Sequence, residues 1–436
     1  MARVVVIGLG YIGLPTAAML ALTGSEVIGV DIQPKVLEAL RSGNPPVRER
    51  DLTAVVREAM NSGRLRVSER PEKADYFIIC VPTPKDGQKA ELGAVDAASR
   101  SIAPFIRKGC TAILESTVPP GTSMNLVRPI LEGSGLTAGT DFHLAHCPER
   151  VMPGNILREI VENERVVGGI DPASAQHAAS LYSTFVRGAV HLTDLATAEF
   201  VKLAENAYRD VNIAFANELA DLAEAHGVDI WQAISLANRH PRVNILRPGP
   251  GVGGHCISVD PLFLLTPKVH ARMIPASRET NDNRPLQVAR KALELVRGVK
   301  RPKIAALGIA FKGNADDIRE SPAVEVIKRL LRDGATVAAY DPLVPNDQFN
   351  TMPLEEVIEG ADLILILADH RELAYIDPEM VGPKVHRKIL FDSRSAVDHR
   401  KWAEAGFEVH ILGNPRPIVP RERLAEVPLV RPRSRK

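Results

Sequence analysis

A glycine-rich run before residue 260 presents a cysteine in a setting suited to covalent chemistry. The run reads Pro248-Gly249-Pro250-Gly251-Val252-Gly253-Gly254-His255-Cys256, and Asp260 follows shortly after it. Glycine loses more conformational freedom on folding than any other residue, so this density of glycine is costly in an ordered segment. The cost is reasonable if the backbone curls closely around a ligand. An isolated cysteine is more often a small buried apolar residue, but the glycines, His255 and Asp260 together favour Cys256 as a nucleophile.

A second group of polar side chains falls on a predicted helix. Lys202, Asn206 and Arg209 are spaced i, i+4 and i+7, which places them in one narrow stripe of the helix surface. A cation and an amide donor aimed at one oxygen are what a developing negative charge requires. The alternative is that Glu199–Lys202 and Glu205–Arg209 are ordinary surface ion pairs, worth a few tenths of a kcal/mol each. The helical spacing alone leaves both interpretations open.

The first strand runs directly into a dinucleotide-binding pattern. The pattern is Gly8-Leu9-Gly10-Tyr11-Ile12-Gly13, and it opens the next predicted helix. Gly8 allows the tight turn, Gly10 lets a pyrophosphate approach the backbone, and Gly13 lets helix and sheet pack closely. The phosphates would then lie at the helix N-terminus, where free N–H groups favour negative charge. Asp31 ends the second predicted strand, where its carboxylate can accept ribose hydroxyls and repel a 2′-phosphate, so we expect NAD rather than NADP.

Two threonine–proline segments follow later predicted strands. Thr83 lies in Val81-Pro82-Thr83-Pro84, and Thr117 lies in Ser116-Thr117-Val118-Pro119. Ligands of open α/β sheets bind beyond the carboxyl ends of the strands. We therefore expect both threonines to contact the cofactor.

These residues require two sheets with a helical segment between them in the chain. Short apolar runs alternate with helical patterns in the first part, a rhythm typical of a parallel sheet covered on both faces. The rhythm returns after Pro302, where Ser321-Pro322 is a good helix start. The predicted strands are Arg3–Ile7, Glu26–Val30, Tyr76–Val81, Thr111–Leu114, Phe142–Ala145, Lys303–Leu307, Thr336–Tyr340, Leu363–Leu367 and Lys388–Phe391.

The stretch from about Thr197 to about His226 contains no Gly or Pro and predicts one long helix, with more helix to about Gly298. Its many Ala, Leu and Phe positions are more apolar than one covering domain needs, so we expect it to pair with a second copy of the chain. The predicted fold class is α/β, with two doubly wound Rossmann-like domains joined by a central helical domain. The predicted boundaries are 1–196, 197–300 and 301–436.

The composition excludes several classes of protein. The formal net charge of +1 across 436 residues gives no general attraction to nucleic acid or to an anionic membrane. We see no signal-peptide pattern and no apolar run of about 20 residues, so we expect neither secretion nor membrane spanning. The four cysteines are widely separated, without zinc-ligand spacing, which favours a reducing cytoplasm and no metal. The basic tail from Arg421 to Lys436 is expected to be a frayed terminus.

At these residues the chain resembles the UDP-glucose/GDP-mannose dehydrogenase family, and within it the UDP-N-acetyl-D-mannosamine dehydrogenase branch. The resemblance covers nearly the whole chain. The run Asn238-Arg239-His240-Pro241-Arg242-Val243-Asn244 and the glycine run before Cys256 are similar to that branch in particular. The other motifs that carry the resemblance are Gly8–Gly13, His146–Val151, the Lys202 helix, Gly308–Lys312, Asp316–Pro322 and Phe391–Arg394.

The resemblance implies an N-terminal NAD domain, a central dimerisation and catalytic domain, and a C-terminal domain that binds the nucleotide sugar, in a homodimer or higher homo-oligomer. It implies a UDP-sugar substrate, whose product is a polysaccharide precursor. The implied NAD contacts are Tyr11, Ile12, Asp31, Thr83, Thr117 and Arg319. The implied substrate contacts are Arg150, Val151, Lys202, Asn206, Arg209, His240, Arg242, Gly253, Phe311, Lys312 and Arg394.

The chemistry implied is oxidation of the C6 alcohol to a carboxylate, which removes four electrons and uses two NAD molecules. Cys256 would add to the aldehyde and carry a thiohemiacetal and then a thioester. Lys202 and Asn206 would stabilise the oxyanions, and Asp260 would orient Lys202 or the hydrolytic water. Glu149 is a second candidate for that work. UDP-glucose relatives carry a further glutamate where this chain has Pro153, so the general-acid role of that glutamate does not transfer to this chain.

Three rival interpretations remain in view. A two-electron dehydrogenase of the hydroxyacid class would need neither Cys256 nor a second doubly wound domain. A non-catalytic sensor of NAD and nucleotide sugar would be expected to lose Cys256 or Lys202, and both are present. Within the enzyme class, UDP-N-acetylglucosamine differs from the mannosamine epimer only at C2, and side-chain identities alone do not separate the two.

Overall fold

The chain is described from a computed structural model that covers residues 1–47, 49, 51–152 and 154–419. Pro153 and the basic tail predicted to fray lie outside the described residues. Internal contacts divide the chain into two compact units. The first unit contains residues 1–206 and 259–269, and the second contains residues 207–258 and the described chain from 270 onward.

An eight-stranded sheet forms the centre of the first unit. Its strand order is β10-β9-β8-β7-β4-β1-β2-β3. Neighbouring strands are parallel except for the β8–β9 pair, which is antiparallel. The strands are β1 (Arg3–Ile7), β2 (Glu26–Val30), β3 (Leu65–Ser68), β4 (Tyr76–Ile79), β7 (Thr111–Leu114), β8 (His143–His146), β9 (Arg165–Gly169) and β10 (Val190–Asp194), with a small separate hairpin of β5 (Lys85–Asp86) and β6 (Lys89–Ala90).

Helices cover this sheet on both faces. Because successive side chains of a strand point to opposite faces, Val4 and Val6 enter one apolar core while Val5 and Ile7 enter the other. A strand buried on both faces must be apolar throughout, which explains the unbroken Val-Val-Val-Ile run of β1. The covering helices are α1 (Gly13–Leu22), α2 (Pro34–Arg41), α3 (Leu52–Asn61), α4 (Gly93–Ile102), α5 (Arg128–Glu132), α6 (Ile156–Glu162) and α7 (Pro172–Tyr182).

The long predicted helix is present as α8 (Leu195–His226). It starts two residues before the predicted position, and the division between the two units falls within it. In the first unit, the short 3-10 helix Asp260–Leu264 packs Val259 and Phe263 against Leu203 of α8. That packing brings Asp260 to the α8 surface.

The second unit contains a five-stranded, fully parallel sheet. Its order is β12-β11-β13-β14-β15. Ser321 caps α11 by accepting a hydrogen bond from the Ala323 N–H, and Pro322 is the first helical residue, as predicted. The elements are α9 (Ile230–Ala237), α10 (Met273–Leu295), β11 (Lys303–Leu307), α11 (Pro322–Arg332), β12 (Thr336–Tyr340), α12 (Leu354–Ile358), β13 (Leu363–Ile366), α13 (Pro378–Val381), β14 (Ile389–Asp392), α14 (His399–Glu404) and β15 (Glu408–Ile411).

The predicted fold class is confirmed, while several strands were not predicted. In the two large sheets, the strands that were not predicted are β3, β9, β10 and β15. Three of them, β3, β10 and β15, are edge strands, and the fourth edge strand, β12, was predicted. Edge strands expose much of their surface, so β10 carries His191, Thr193 and Asp194 and lacks an apolar run. The boundaries predicted after residues 196 and 300 stay predictions. Among the described helices, none is both long and apolar enough to cross a lipid bilayer.

Candidate active site

The glycine turn after β1 has the geometry of a phosphate cradle. Gly8 has φ +93°, and an added Cβ there would overlap the Cys80 carbonyl oxygen. An added Cβ on Gly13 would overlap the Gly8 oxygen, so this glycine lets α1 close onto the turn. Around Gly10, an added Cβ would meet no described atom within 4 Å. The turn is therefore tight at its two ends and open at Gly10, as close approach of a pyrophosphate requires.

Asp31 lies at the end of β2 and faces the turn. Its Oδ2 accepts a hydrogen bond from the Leu9 N–H at 2.9 Å, and its Oδ1 accepts one from the Gln33 N–H at 2.9 Å. The carboxylate is thereby fixed beside the turn, where a ribose would lie in a dinucleotide complex. Tyr11 and Ile12 belong to the same turn. These residues fit the NAD that the sequence predicts.

The two predicted threonines meet at the neighbouring strand ends. The Thr83 hydroxyl donates to the Thr117 carbonyl oxygen at 2.6 Å, and Ser116 Oγ accepts from the Val81 N–H at 2.9 Å. These bonds join the loops after β4 and β7. Parallel strands β4 and β7 are adjacent in the sheet, which explains why segments 34 residues apart come together.

A lysine, an amide and a carboxylate form the polar group at α8. The Asn206 amide donates to Asp260 Oδ2 at 2.6 Å, and Asp260 is only 4% exposed. Burial raises the pKa of Asp260 to about 6, although the charge of Lys202 and the Asn206 hydrogen bond both act to lower it. A carboxyl with this pKa exchanges a proton near neutral pH, as a catalytic acid or base must.

The surface-pair alternative for this helix is wrong. The Glu199 side chain is buried, and its carboxylate accepts hydrogen bonds from the N–H groups of Gly121 and Ser123. Glu205 makes an ion pair with Arg150, with Nη2 and Oε1 2.6 Å apart. Both glutamates therefore bind groups outside the helix stripe.

Glu149 and its neighbours occupy the loop after β8. The Glu149 side chain accepts a hydrogen bond from the Arg150 N–H at 2.6 Å and lies 3.5 Å from Arg165 Nη2. Arg150 also donates to the Glu164 carbonyl oxygen at 3.0 Å, so its guanidinium already has two partners. Val151 packs beside the apolar core of the first unit.

In the second unit, the glycine loop before Cys256 is wrapped closely around other residues. An added Cβ on Gly253 would overlap the Glu320 oxygen and come within 2.8 Å of Phe311, and one on Gly254 would come within 2.9 Å of the Phe311 ring. Cys256 is half-buried and is not part of a disulfide. The glycines are therefore needed for close packing, and Phe311, far away in the sequence, lies against the predicted loop.

The start of this loop is held from two helices. Asn217 Oδ1 of α8 accepts the Gly249 N–H at 2.9 Å, and Arg284 Nε of α10 donates to the Gly249 oxygen at 3.3 Å. Arg394, a predicted substrate contact, passes so close that an added Cβ on Gly249 would overlap its guanidinium. Arg394 is also paired with Asp369, with Nη2 and Oδ1 2.9 Å apart.

Sequence reasoning missed Asn217 and Arg284, and it also missed the buried Glu115 and Arg165. Arg284 precedes Pro285 inside α10, which was an available signal because a proline interrupts helical hydrogen bonding. The other three lie in ordinary helical or strand patterns. Nothing local distinguishes them from solvent-facing polar residues.

The remaining predicted contacts lie in the second unit. His240 and Arg242 are exposed and joined by a hydrogen bond from the Arg242 N–H to His240 Nδ1 at 3.3 Å. The Lys312 ammonium lies 5.7 Å from the centre of the Phe311 ring. Arg319 is paired with Asp317 at 2.6 Å, and Arg209 is exposed on α8. Their contacts with ligands stay predictions.

The second sheet repeats the strand–turn–acid pattern but uses the acid differently. Asp341 follows β12 as Asp31 follows β2, yet Asp341 accepts hydrogen bonds from the N–H groups of Ile309 and Ala310 at 2.6 and 3.0 Å, and lies 3.1 Å from His370 Nε2. These bonds hold the pKa of Asp341 down to about 2 despite its burial. The Asp341 carboxylate is buried and hydrogen-bonded within the fold, so the turn after β11 lacks the ribose-binding acid of a dinucleotide site.

Comparisons with known proteins agree over nearly the whole length of the chain. Three profiles of the UDP-glucose/GDP-mannose dehydrogenase family match: the NAD binding domain at residues 2–186, the central domain at 196–283 and the UDP binding domain at 305–399. A UDP-N-acetyl-D-mannosamine dehydrogenase of Methanocaldococcus jannaschii is 48% identical over 419 residues, covering 94% of this chain and 96% of that protein.

Two further relatives extend the comparison. An NDP-N-acetyl-D-galactosaminuronic acid dehydrogenase of Ralstonia nicotianae is 43% identical, covering 89% of this chain and 95% of that protein. The solved structure of a UDP-D-ManNAc dehydrogenase from Pyrococcus horikoshii superposes with a TM-score of 0.90 at 41% identity, covering 95% of this chain and 99% of that chain.

Proposed function

The chain belongs to the UDP-glucose/GDP-mannose dehydrogenase family, and we propose that it oxidises the C6 hydroxyl of UDP-N-acetyl-D-mannosamine to a carboxylate. As a member of this family it is an NAD-dependent UDP-sugar dehydrogenase. The observation that carries the choice of sugar is the 48% identity, over nearly its full length, to a UDP-N-acetyl-D-mannosamine dehydrogenase. We also propose that the product is a precursor of polysaccharide.

The residues of the first unit would act on the reacting oxygen. NAD, held at the Gly8–Gly13 turn and Asp31, supplies the hydride acceptor for each of the two oxidation steps. Lys202 and Asn206 stabilise the negative charge that develops on the C6 oxygen. The Asn206 amide is oriented by its 2.6 Å hydrogen bond to Asp260, so its position is set before the substrate binds.

Cys256 would keep the reactive aldehyde bound to the protein. Its thiolate adds to the aldehyde carbon and forms a thiohemiacetal, whose C–H bond is lost in the second oxidation to leave a thioester. Water then adds to the thioester carbon, the C–S bond breaks, and the thiolate leaves with the electron pair. Asp260 and Glu149 are the two candidates that accept the proton of that water.

A catalytic thiol at Cys256 implies that the protein works in a reducing compartment of the cell. None of the four cysteines forms a disulfide, and covalent catalysis requires Cys256 to stay reduced. We propose that the protein is cytoplasmic.

We also propose a homodimer or higher homo-oligomer built on α8, because Tyr208, Phe215 and Leu222 recur every seven residues and are 62%, 50% and 49% exposed.

UDP-N-acetylglucosamine is the main alternative substrate. The relative that acts on an N-acetylgalactosaminuronic acid compound shows that closely similar chains serve different N-acetylated sugars. Purified protein mixed with NAD and each UDP-sugar, followed at the NADH absorbance band, separates the epimers. We expect two NADH per UDP-N-acetyl-D-mannosamine and no aldehyde trapped by hydroxylamine. A ratio of one with trapped aldehyde would support the two-electron rival instead.

Single-turnover kinetics of two variants test the covalent mechanism. Cys256→Ser replaces a thiolate with a far poorer nucleophile, so it should bind both ligands and stop at the aldehyde level. Lys202→Ala should slow every step on the order of 100- to 1000-fold, by analogy with the loss of an oxyanion-hole donor. Lys328→Ala, which changes an exposed lysine paired with Glu325, is the control. Full oxidation by Cys256→Ser at a near-normal rate would overturn the mechanism.

A further inference from the structure

The segment that follows β13 lies in the middle of the carboxyl-end edge of the second sheet. Strand β13 pairs with β11 on one side and with β14 on the other, and β12 lies beyond β11. Ligands of open parallel sheets bind at this edge. Asp369 and His370 stand in this segment, within residues 305–399, which match the UDP binding domain of the family. Neither residue belongs to the motifs that carry the family resemblance.

Asp369 holds the guanidinium of Arg394, which follows β14. Its Oδ1 accepts hydrogen bonds from Arg394 Nη2 at 2.9 Å and from Nε at 3.3 Å. Although burial acts to raise the pKa of the Asp369 carboxyl, the charge and hydrogen bonds of Arg394 hold that pKa below its ordinary value, so the carboxyl is ionised. Nη1, at the other end of the fork, lies beside Gly249. An arginine held at one end in this way can present its remaining N–H groups to phosphate oxygens.

The same segment packs directly on the turn after β11. An added Cβ on Gly308 would lie 2.8 Å from Ala368 N, and one on Gly313 would overlap the Asp369 carbonyl oxygen. Glycine at both positions lets the two backbones come this close. Because Gly313 directly follows Lys312, the placement of Asp369 also determines where the end of the turn lies.

His370 holds the last residue of that turn. Its ring is buried, and its Nδ1 accepts the Asn314 N–H at 3.0 Å. The ring proton is therefore on Nε2, which donates to Asp341 Oδ2 at 3.1 Å. In return, Asn314 Oδ1 accepts the Arg371 N–H at 3.0 Å. The turn after β11 and the segment after β13 thus bind each other in both directions.

Asp341 fixes the far side of the His370 ring. Its two carboxylate oxygens also accept hydrogen bonds from four backbone N–H groups, those of Ile309, Ala310, Leu343 and Val344. The carboxylate therefore has a fixed position whether or not the ring is present. The acid that would bind a ribose in a dinucleotide turn here supports the ring that holds the turn.

We propose that Asp369 and His370 are positioning residues for the diphosphate of the nucleotide sugar: Asp369 orients Arg394, and His370 holds the turn that carries Lys312. Both cations are predicted substrate contacts, and they follow β14 and β11, the two strands that flank β13. Fixing them before the substrate binds reduces the side-chain freedom that is lost on binding. The inference rests on the proposed function, because the diphosphate is that of the UDP-sugar.

Calorimetric titration of UDP and of UMP into the full chain tests the role of Asp369. Asp369→Ala releases Arg394, so the dissociation constant of UDP should rise on the order of 10- to 100-fold, by analogy with the loss of supporting partners around metal ligands. The constant of UMP, which lacks the second phosphate, should rise less. Asp369→Asn keeps an acceptor oxygen and should retain most of the UDP affinity. Asp333→Ala, in the surface pair with Arg329, is the matched control and should bind UDP normally.

Two substitutions at His370 separate its two hydrogen bonds. His370→Gln can still donate to Asp341 but removes the acceptor of the Asn314 N–H. Its KM for UDP-N-acetyl-D-mannosamine and its UDP dissociation constant should rise on the order of 10-fold with little change in kcat, because binding in the ground state and in the transition state is weakened alike. His370→Asn should retain UDP affinity, because the asparagine Oδ1, like Nδ1 of histidine, is two bonds from Cβ. Melting temperature and NAD affinity are measured for every variant, and loss of positioning alone should leave NAD affinity unchanged.

Three results would overturn the inference. The first is unchanged UDP binding in either Asp369→Ala or His370→Gln. The second is tighter UDP binding in Asp369→Ala, which would mean that the carboxylate only competes with phosphate for Arg394. The third is an equal loss in Asp369→Asn and Asp369→Ala, which would assign the effect to charge and not to position.

If Asp369→Ala does not fold, the His370 variants decide the matter, and equal UDP affinity in His370→Gln and His370→Asn would contradict the inference. Failure of the unmodified protein to oxidise UDP-N-acetyl-D-mannosamine would instead reject the proposed function. The UDP titrations do not depend on the identity of the sugar or on the covalent step. The two failures are therefore distinguishable.

Discussion

Among single residues, Asp260 shows how burial adjusts a side chain for chemistry. The sequence places it four positions after Cys256, where its charge state is not evident. The 3-10 helix then packs it beside Asn206, and removal from water raises the pKa of its carboxyl to about 6. Burial also raises the pKa of the Cys110 thiol, and it raises the pKa of the Cys147 thiol to about 12. Both cysteines therefore stay protonated and unreactive.

Asp260→Asn should change the pH dependence of stability. The pKa of Asp260 is about 6 in the folded chain and 3.8 ordinarily. Between these pH values the folded chain therefore binds more protons than the unfolded chain, so the free energy of unfolding falls as the pH rises from 3.8 to about 6. The asparagine variant cannot ionise, and its stability relative to the unmodified chain should increase by about 2 kcal/mol between pH 4 and pH 7. Calorimetry at both pH values measures this, and Asp96→Asn, at an exposed ion pair, is the control. A constant difference across the range would contradict the assignment.

At the level of elements, the two sheets use one strand–turn–helix unit for two purposes. In the first unit, the turn after β1 stays open at Gly10 beside Asp31. In the second, the turn after β11 is closed, because Asp341 accepts two N–H groups from it and lies against His370. The sequence pattern at the end of the second strand is the same in both sheets. Burial and bonding decide which acid is available to a ligand.

Asparagine substitutions at Asp31 and Asp341, the equivalent positions of the two sheets, should affect different properties: NAD binding in the first case and stability in the second. Asp31→Asn should weaken NAD binding and reduce the preference for NAD over NADP, with little change in melting temperature. Asp341→Asn should leave NAD affinity unchanged and lower stability by about 1–3 kcal/mol, because buried N–H groups lose an acceptor. Since the pKa of Asp341 is lowered to about 2, its contribution is present above pH 4 and lost as the pH falls towards 2. Fluorescence titration with NAD and calorimetry on both variants measure the contrast; equal NAD weakening in both would count against it.

For the molecule as a whole, α8 carries an apolar face that remains exposed in the single chain. Tyr208, Phe215 and Leu222 repeat at seven-residue intervals on the same side of the helix and remain exposed. A continuous apolar face of this kind is typical of an interface with another helix. The proposed homo-oligomer follows from that face.

Sedimentation of the unmodified chain at micromolar concentration should give a dimer or a higher oligomer. Phe215→Glu should shift it towards monomer, because a charge would be buried in the interface. Leu236→Glu alters another exposed apolar residue, on α9, and should leave the oligomer unchanged. A monomeric unmodified chain, or the same oligomer in Phe215→Glu, would refute the helix pairing.

The sequence by itself determined the features that depend on local backbone and local periodicity. The Gly8–Gly13 turn, Asp31, the glycine run before Cys256 and the long helix could all be recognised because neighbouring residues carry the whole signal. The strands of the sheet centres were predictable for the same reason, since burial on both faces requires unbroken apolar runs. The family resemblance followed from these same motifs.

Only the tertiary structure decided which distant side chains meet. Arg165 reaches Glu115 and Glu149 because β9 runs antiparallel beside β8, and strand direction is not written in any local pattern. Asn217 and Arg284 hold Gly249 because two helices far apart in sequence pack around one loop. Strand order, register and helix packing are sums over many weak contacts along the whole chain. They therefore become visible only when the chain is folded.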